Sequence, residues 1–121
     1  MLDIFEANRR QENIKRFNNS AVFYNIRKMR KRPNIVLSLS VKAINMANMK
    51  YPGKIKILTD GKRFVLKESD TGYSMWKHNQ RIILRFVVPD DLEAIKKSIY
   101  IEFNAARISP GCIEFNIESE K

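Results

Sequence analysis

Short runs of alternating apolar and polar residues, separated by turn-forming Gly and Pro, constrain this chain most, and they occur in the same order twice. In the first copy Ile35-Val36-Leu37-Ser38-Leu39 reads as a strand, and Ser40 is suited to cap a short helix bearing Ala43, Ile44, Met46 and Ala47. Tyr51-Pro52-Gly53 ends that helix, because Pro cannot continue it and Gly permits the turn. Lys54-Ile55-Lys56-Ile57-Leu58 then alternates, Asp60-Gly61 signals a tight hairpin, and Arg63 to Lys67 forms the returning strand.

The second copy opens with a strand over Arg81 to Val88, followed by Pro89-Asp90-Asp91-Leu92-Glu93-Ala94-Ile95. Pro and carboxylates in a first turn predict a short helix there. Ile99-Tyr100-Ile101-Glu102-Phe103 alternates, Ser109-Pro110-Gly111 turns the chain, and Ile113 to Glu118 alternates again. Each copy, 34–69 and 82–119, is too short to bury a core alone, so the two are expected to share one. Upstream, the stretch from Asp3 to about Phe17 lacks Gly and Pro and predicts a helix, which Asn18-Asn19-Ser20 breaks. Ala21 to Ile26 fits either an edge strand or a second short helix. The expected architecture is therefore α+β and β-rich, with a basic N-terminal helix and arm over 1–33. A single core domain over 34–121 follows, in which two β-α-β-β repeats form one barrel-like core.

The 121 residues carry 23 Lys and Arg against 13 Asp and Glu, a net charge of +10 that favours phosphate backbones, anionic membranes or acidic proteins as partners. The excess is uneven: residues 1–33 carry nine basic and three acidic side chains and 34–69 seven and two, whereas 82–119 carry four and six. The densest run, Arg27, Lys28, Arg30, Lys31 and Arg32, is expected to be extended or loosely helical until an anion neutralises it; the alternative is a solvated linker. With Arg9, Arg10, Lys15 and Arg16 of the N-terminal helix, these side chains are expected to gather into one electropositive surface.

Residues 85–95 and the hairpin after them resemble the AbrB/SpoVT-type swapped-hairpin barrel, in which a strand ending in an apolar pair plus Pro leads into a short helix and a closing hairpin. The resemblance spans 82–118 and, more loosely, 35–68. It implies a DNA-binding barrel with both halves in one chain, and by position it implicates Lys42, Lys54, Lys56, Lys62 and Arg63. Asp90, Asp91 and Glu93 occupy the equivalent place in the second copy and depart from that pattern. Residues 38–44, with the hairpin after them, are also similar to small phage and prophage proteins, and the Ile, Lys and Asn bias fits AT-rich phage genomes.

Between the copies, Tyr73 and Trp76 stand among Lys77 and Arg81. The mixture suits stacking on bases with phosphate held alongside, although a lone Trp more often caps a core, and that reading is preferred here. His78 is the sole histidine and reads as an exposed loop residue, and neither a nucleophile motif nor a phosphate-binding glycine loop is present. Cys112 is alone, which rules out an internal disulfide and fits a reducing cytoplasm, and no stretch approaches a membrane span of about 18 apolar residues. The expectation is a cytoplasmic, cofactor-free, non-enzymatic protein, monomer or homodimer. Its function would be that of a nucleic-acid-binding regulator or accessory protein of phage type, with DNA preferred over RNA. The rival is a small phage-encoded inhibitor, such as an anti-CRISPR, that binds a host nucleic-acid-processing protein.

Overall fold

A computed structural model describes residues 19–117. The chain forms strands β1 (Ser20–Met29) and β2 (Arg32–Ser40), helix α1 (Val41–Met46), then β3 (Lys54–Thr59), β4 (Arg63–Ser69), β5 (Tyr73–Ser74), β6 (Trp76–His78) and β7 (Arg81–Val87). Strand β8 (Ile99–Glu102), a single 3-10 turn (Phe103–Ala105), β9 (Ala106–Ser109) and β10 (Cys112–Asn116) complete it. The strands make two antiparallel sheets, ordered β6-β7-β2-β1-β8 and β5-β3-β4-β10-β9.

The sheets form by period-two burial. Val22, Tyr24, Ile35, Leu37, Leu39, Ile82 and Leu84 face inward from the first sheet, and Ile55, Phe64, Leu66, Ile113 and Phe115 from the second, in one shared core. The Tyr24 ring meets the Phe64 ring edge-on at 5.7 Å across the layers, and Phe64 stacks on Phe115 at 5.3 Å. The repeated phrases become neighbours in both layers. β2 of the first copy pairs antiparallel with β7 of the second about Leu37 and Leu84, and β4 pairs with β10 about Val65 and Glu114.

The α+β expectation needs correction: the described chain is a two-sheet β structure with one short helix. The N-terminal helix predicted over Asp3 to Phe17 lies outside the described residues. Only the first copy is β-α-β-β. There Ser40 caps α1 as expected, its Oγ accepting from the Ala43 N–H at 2.9 Å, but the helix stops at Met46, with Asn48 at φ 55, before Tyr51-Pro52-Gly53 is reached.

In the second copy Pro89 to Ile95 makes a turn, closed by Leu92 N–H on Pro89 O at 3.1 Å, and no helix. Tertiary partners outweigh the local signal. The Ile95 carbonyl accepts from the Tyr24 hydroxyl at 2.7 Å, and the Glu93 carbonyl lies so close to Gly61 that a Cβ there would stand 2.7 Å from it. Nor do the sheets close into a barrel, since each is open, with β6 and β8 or β5 and β9 at its edges. Ala21 to Ile26 is strand, its Val22 and Tyr24 buried beneath Phe23 and Asn25.

Burial pushes the Tyr24 phenol up to about 12 from its ordinary 10. The folded state thus keeps a proton that the unfolded chain releases near pH 10, so this stabilising contribution is complete below pH 10 and is lost as pH rises toward 12. Tyr24→Phe should cost about 1 kcal/mol at neutral pH. It should also remove up to about 3 kcal/mol of the stability loss seen by urea unfolding between pH 10 and 12. Parallel decline of both proteins over that range would contradict the assignment.

Candidate nucleic-acid interface

The run from Arg27 to Arg32 is the tip of a β-hairpin. β1 pairs with β2 as far as Met29 and Arg32, but β8 follows β1 only to Tyr24, and β7 follows β2 only to Asn34. Residues 27–33 therefore continue beyond both neighbouring strands as a two-stranded ribbon. Its five cations, Arg27, Lys28, Arg30, Lys31 and Arg32, are all exposed. The segment is extended, as the charge density suggests, but its backbone is paired instead of running as a free linker.

The ribbon turns through Arg30 at φ 51 and Lys31 at φ 68. A two-residue hairpin of this kind needs positive φ at both central positions, which Asn-Gly adopts readily and a residue with a long side chain adopts at a cost on the order of 1 kcal/mol each. Neither side chain recovers that cost by burial, because both are exposed. Repulsion between neighbouring cations about 6 Å apart in water adds less than about 1 kcal/mol per pair, so the sheet behind the ribbon can hold the run extended.

Strand alternation places one further exposed cation, Arg85, on the face of the first sheet that carries Arg27. Arg85 lies across from Val36, and Val36 from Asn25; Val87 lies across from Asn34, and Asn34 from Arg27. Trp76, opposite Ile83, belongs to this outer face and is 63% exposed, so it stands in solvent and does not cap the core. The Arg85 guanidinium sits over its ring at 5.9 Å from the centroid. The structure separates Trp76 from the residues grouped with it in sequence. Tyr73 belongs to the other sheet, with its ring 5.4 Å from Phe86; Lys77 is exposed at the alternate position of β6, and His78 is exposed at the end of that strand.

Arg81 is 5% exposed. Its Nε–H donates to Ser38 Oγ at 2.9 Å, and its Nη groups donate to Ser38 O at 2.6 Å and to Ser20 O at 3.0 Å. Burial lowers the guanidinium to about 10 from its ordinary 12.5. This arginine ties β7, β2 and β1 together, and its donors are taken up by Ser38 and Ser20 in a buried position.

Lys54, Lys56 and Arg63 share the outer face of the second sheet. Lys67 and Arg107 join them there, a grouping missed in sequence because only the β4–β10 and β10–β9 register brings it about. Arg63 reaches Glu114 at 3.4 Å. Lys62 is exposed in the β3–β4 turn, and Lys42, on α1, lies with its Nζ 5.1 Å from the centre of the Phe103 ring. Arg9, Arg10, Lys15 and Arg16 lie outside the described residues.

Two clusters stand out among the described cations, the ribbon and the outer face of the opposite sheet, while Lys42, Lys62, Lys77 and Arg81 belong to neither. Among the described residues these clusters lie on different sheets and do not form the single continuous surface expected from the charge distribution. Beside the ribbon a hollow of about 330 Å³ has Pro33, Val88 and Leu92 in its wall, with Arg32 and Lys96 set against Asp90 and Glu93. Among the described residues no group of three or more His, Cys, Asp or Glu is placed to hold a metal ion, and no helix is long and apolar enough to cross a membrane.

These placements separate two arginines sharply. Arg81→Ala should lower stability in urea unfolding by about 2–4 kcal/mol, since it leaves buried acceptors unpaired. Arg85→Ala should change it by less than about 0.5 kcal/mol. Equal effects would contradict the contrast.

No known protein family, curated protein or solved structure matches this chain.

Proposed function

We propose that this chain is a nucleic-acid-binding protein that presents the 27–33 ribbon to DNA and works by binding, not catalysis. The observation that carries the reading is the ribbon itself: five exposed cations on a paired, projecting β-hairpin whose tip holds Arg30 and Lys31 at positive φ. A duplex DNA major groove, about 12 Å wide, admits a two-stranded ribbon, with phosphates on both rims to meet side chains of both strands. The major groove of an A-form RNA helix is deep and narrow and excludes such an element, which favours DNA.

Arg85 and Trp76 extend the contact on the adjoining face. The indole, with a cation already on its ring, suits an unpaired base at the end or opening of a duplex. Phosphate contacts by five side chains release counterions, so log K should fall with log salt at a slope of about −4.5. Between roughly 50 and 200 mM salt the affinity should drop on the order of several hundred-fold.

Fluorescence anisotropy of a labelled duplex, titrated at several salt concentrations, measures this. The informative variant is Arg30→Asn with Lys31→Gly, which supplies the turn with its preferred residues while deleting two charges. The hairpin should be at least as stable, the slope shallower by about two, and the affinity at low salt lower. Binding that is absent, insensitive to salt or unchanged in the variant refutes the reading.

A further inference from the structure

We infer that the outer face of the second sheet is a separate binding surface for the phosphate backbone of another nucleic-acid segment, so that one chain bridges two segments. The inference rests on the ribbon reading above and adds a partner for the opposite side of the molecule.

The cross-strand register supplies the first observation. Lys56 and Lys67 are direct partners on β3 and β4, and Lys54 follows Lys56 on the same face. Like charges placed directly opposite in a sheet oppose its formation, and a face that only needed solvation would alternate its signs. The neighbouring row does so: Arg107 lies across from Glu114, which Arg63 also engages at 3.4 Å. The Lys56–Lys67 row continues across the sheet into Cys112 and Ser109, neither of which carries a carboxylate. Glu68 has the opposite parity on β4 and accepts the backbone N–H of Lys50 at 2.6 Å, and with Asp70 it lines a hollow beside Lys54.

The second observation is the composition of the face. Its uncharged outward members on β3 and β4, Leu58, Val65 and Ser69, offer no aromatic ring for a base. A surface with cations and no stacking platform reads phosphates without sequence.

The third is placement. The two sheets pack face to face through Tyr24, Phe64 and Phe115, so their outer faces look in opposite directions. DNA is stiff over about 150 base pairs. A short duplex seated on the ribbon therefore cannot also lie on the back of the second sheet, and that surface is left for another segment.

The test uses a short duplex tethered to beads, loaded with the full chain, washed, and offered a second, fluorescent duplex at low salt. The comparison is with Lys54→Glu combined with Lys56→Glu, in which residue 56 faces Lys67 with opposite charge and the sheet is not weakened. Wild type should retain the second duplex. The variant should retain it about tenfold less, with affinity for a single duplex changed by less than about threefold. Equal retention by both proteins overturns the bridging surface and leaves the ribbon reading in place. Failure of wild type to bind the tethered duplex overturns the ribbon reading and the bridging surface with it.

Discussion

Burial of one face of each sheet against the other governs this structure. Neither layer can satisfy its apolar residues alone, and the contact from Tyr24 through Phe64 to Phe115 joins them at the centre. Because side chains alternate along a strand, committing Val22, Leu37, Leu84, Ile55 and Leu66 to the inside sends their neighbours outward. The cations are then distributed by parity. Arg27 and Arg85 emerge on one side of the molecule, and Lys56, Lys67 and Arg107 on the other. A charge excess that looks continuous along the chain is divided in space by the same alternation that builds the core.

The hairpin of β1 and β2 shows how that core supports a feature that would not stand alone. A two-stranded ribbon is marginal in water, and this one also carries positive φ at two long side chains and repulsion along its length. Its base is held where Asn34 pairs with Val87 and where Val88 N–H donates to the Pro33 carbonyl at 3.0 Å. Arg81 reinforces the sheet further back by bonding to Ser38 and Ser20 on adjacent strands. Two arginines four residues apart on β7 therefore do opposite things: Arg81 spends its donors inside the sheet, and Arg85 keeps its guanidinium on an exposed indole.

Much of the fold was legible where residue type and backbone geometry have a direct relation. Asp60-Gly61 is a turn because Gly61 takes φ 99 and the Asp60 carboxylate accepts from the N–H groups of Lys62 and Arg63, which also holds its carboxyl below the usual range. Ser40 caps α1 for an equally local reason. The Arg30-Lys31 turn was not legible, since neither residue advertises positive φ and the Pro at 33 read as a boundary. The run of Val22, Phe23, Tyr24 and Ile26 was too short for its periodicity to decide between a strand and a helix. The false helix at Pro89 to Ile95 had sound local signals, and it failed because Tyr24 and Gly61, distant in sequence, engage its backbone. Of the candidate site, the density of the ribbon was visible, whereas Lys67 and Arg107 could be added only once strand order was known.

The resulting division of labour follows from what each face carries. The ribbon side combines projecting cations with an exposed indole, so it has both a means of entering a groove and a surface on which a base can stack. The opposite side has ammonium and guanidinium groups on a flat sheet and nothing to stack, which limits it to charge. Contacts of the second kind are lost first as salt rises, because they have no other source of affinity. On the proposed reading, two faces of unequal character would give a molecule whose grip on a first segment is stronger and more shape-dependent than its grip on a second. Ionic strength would then control bridging before it controls binding.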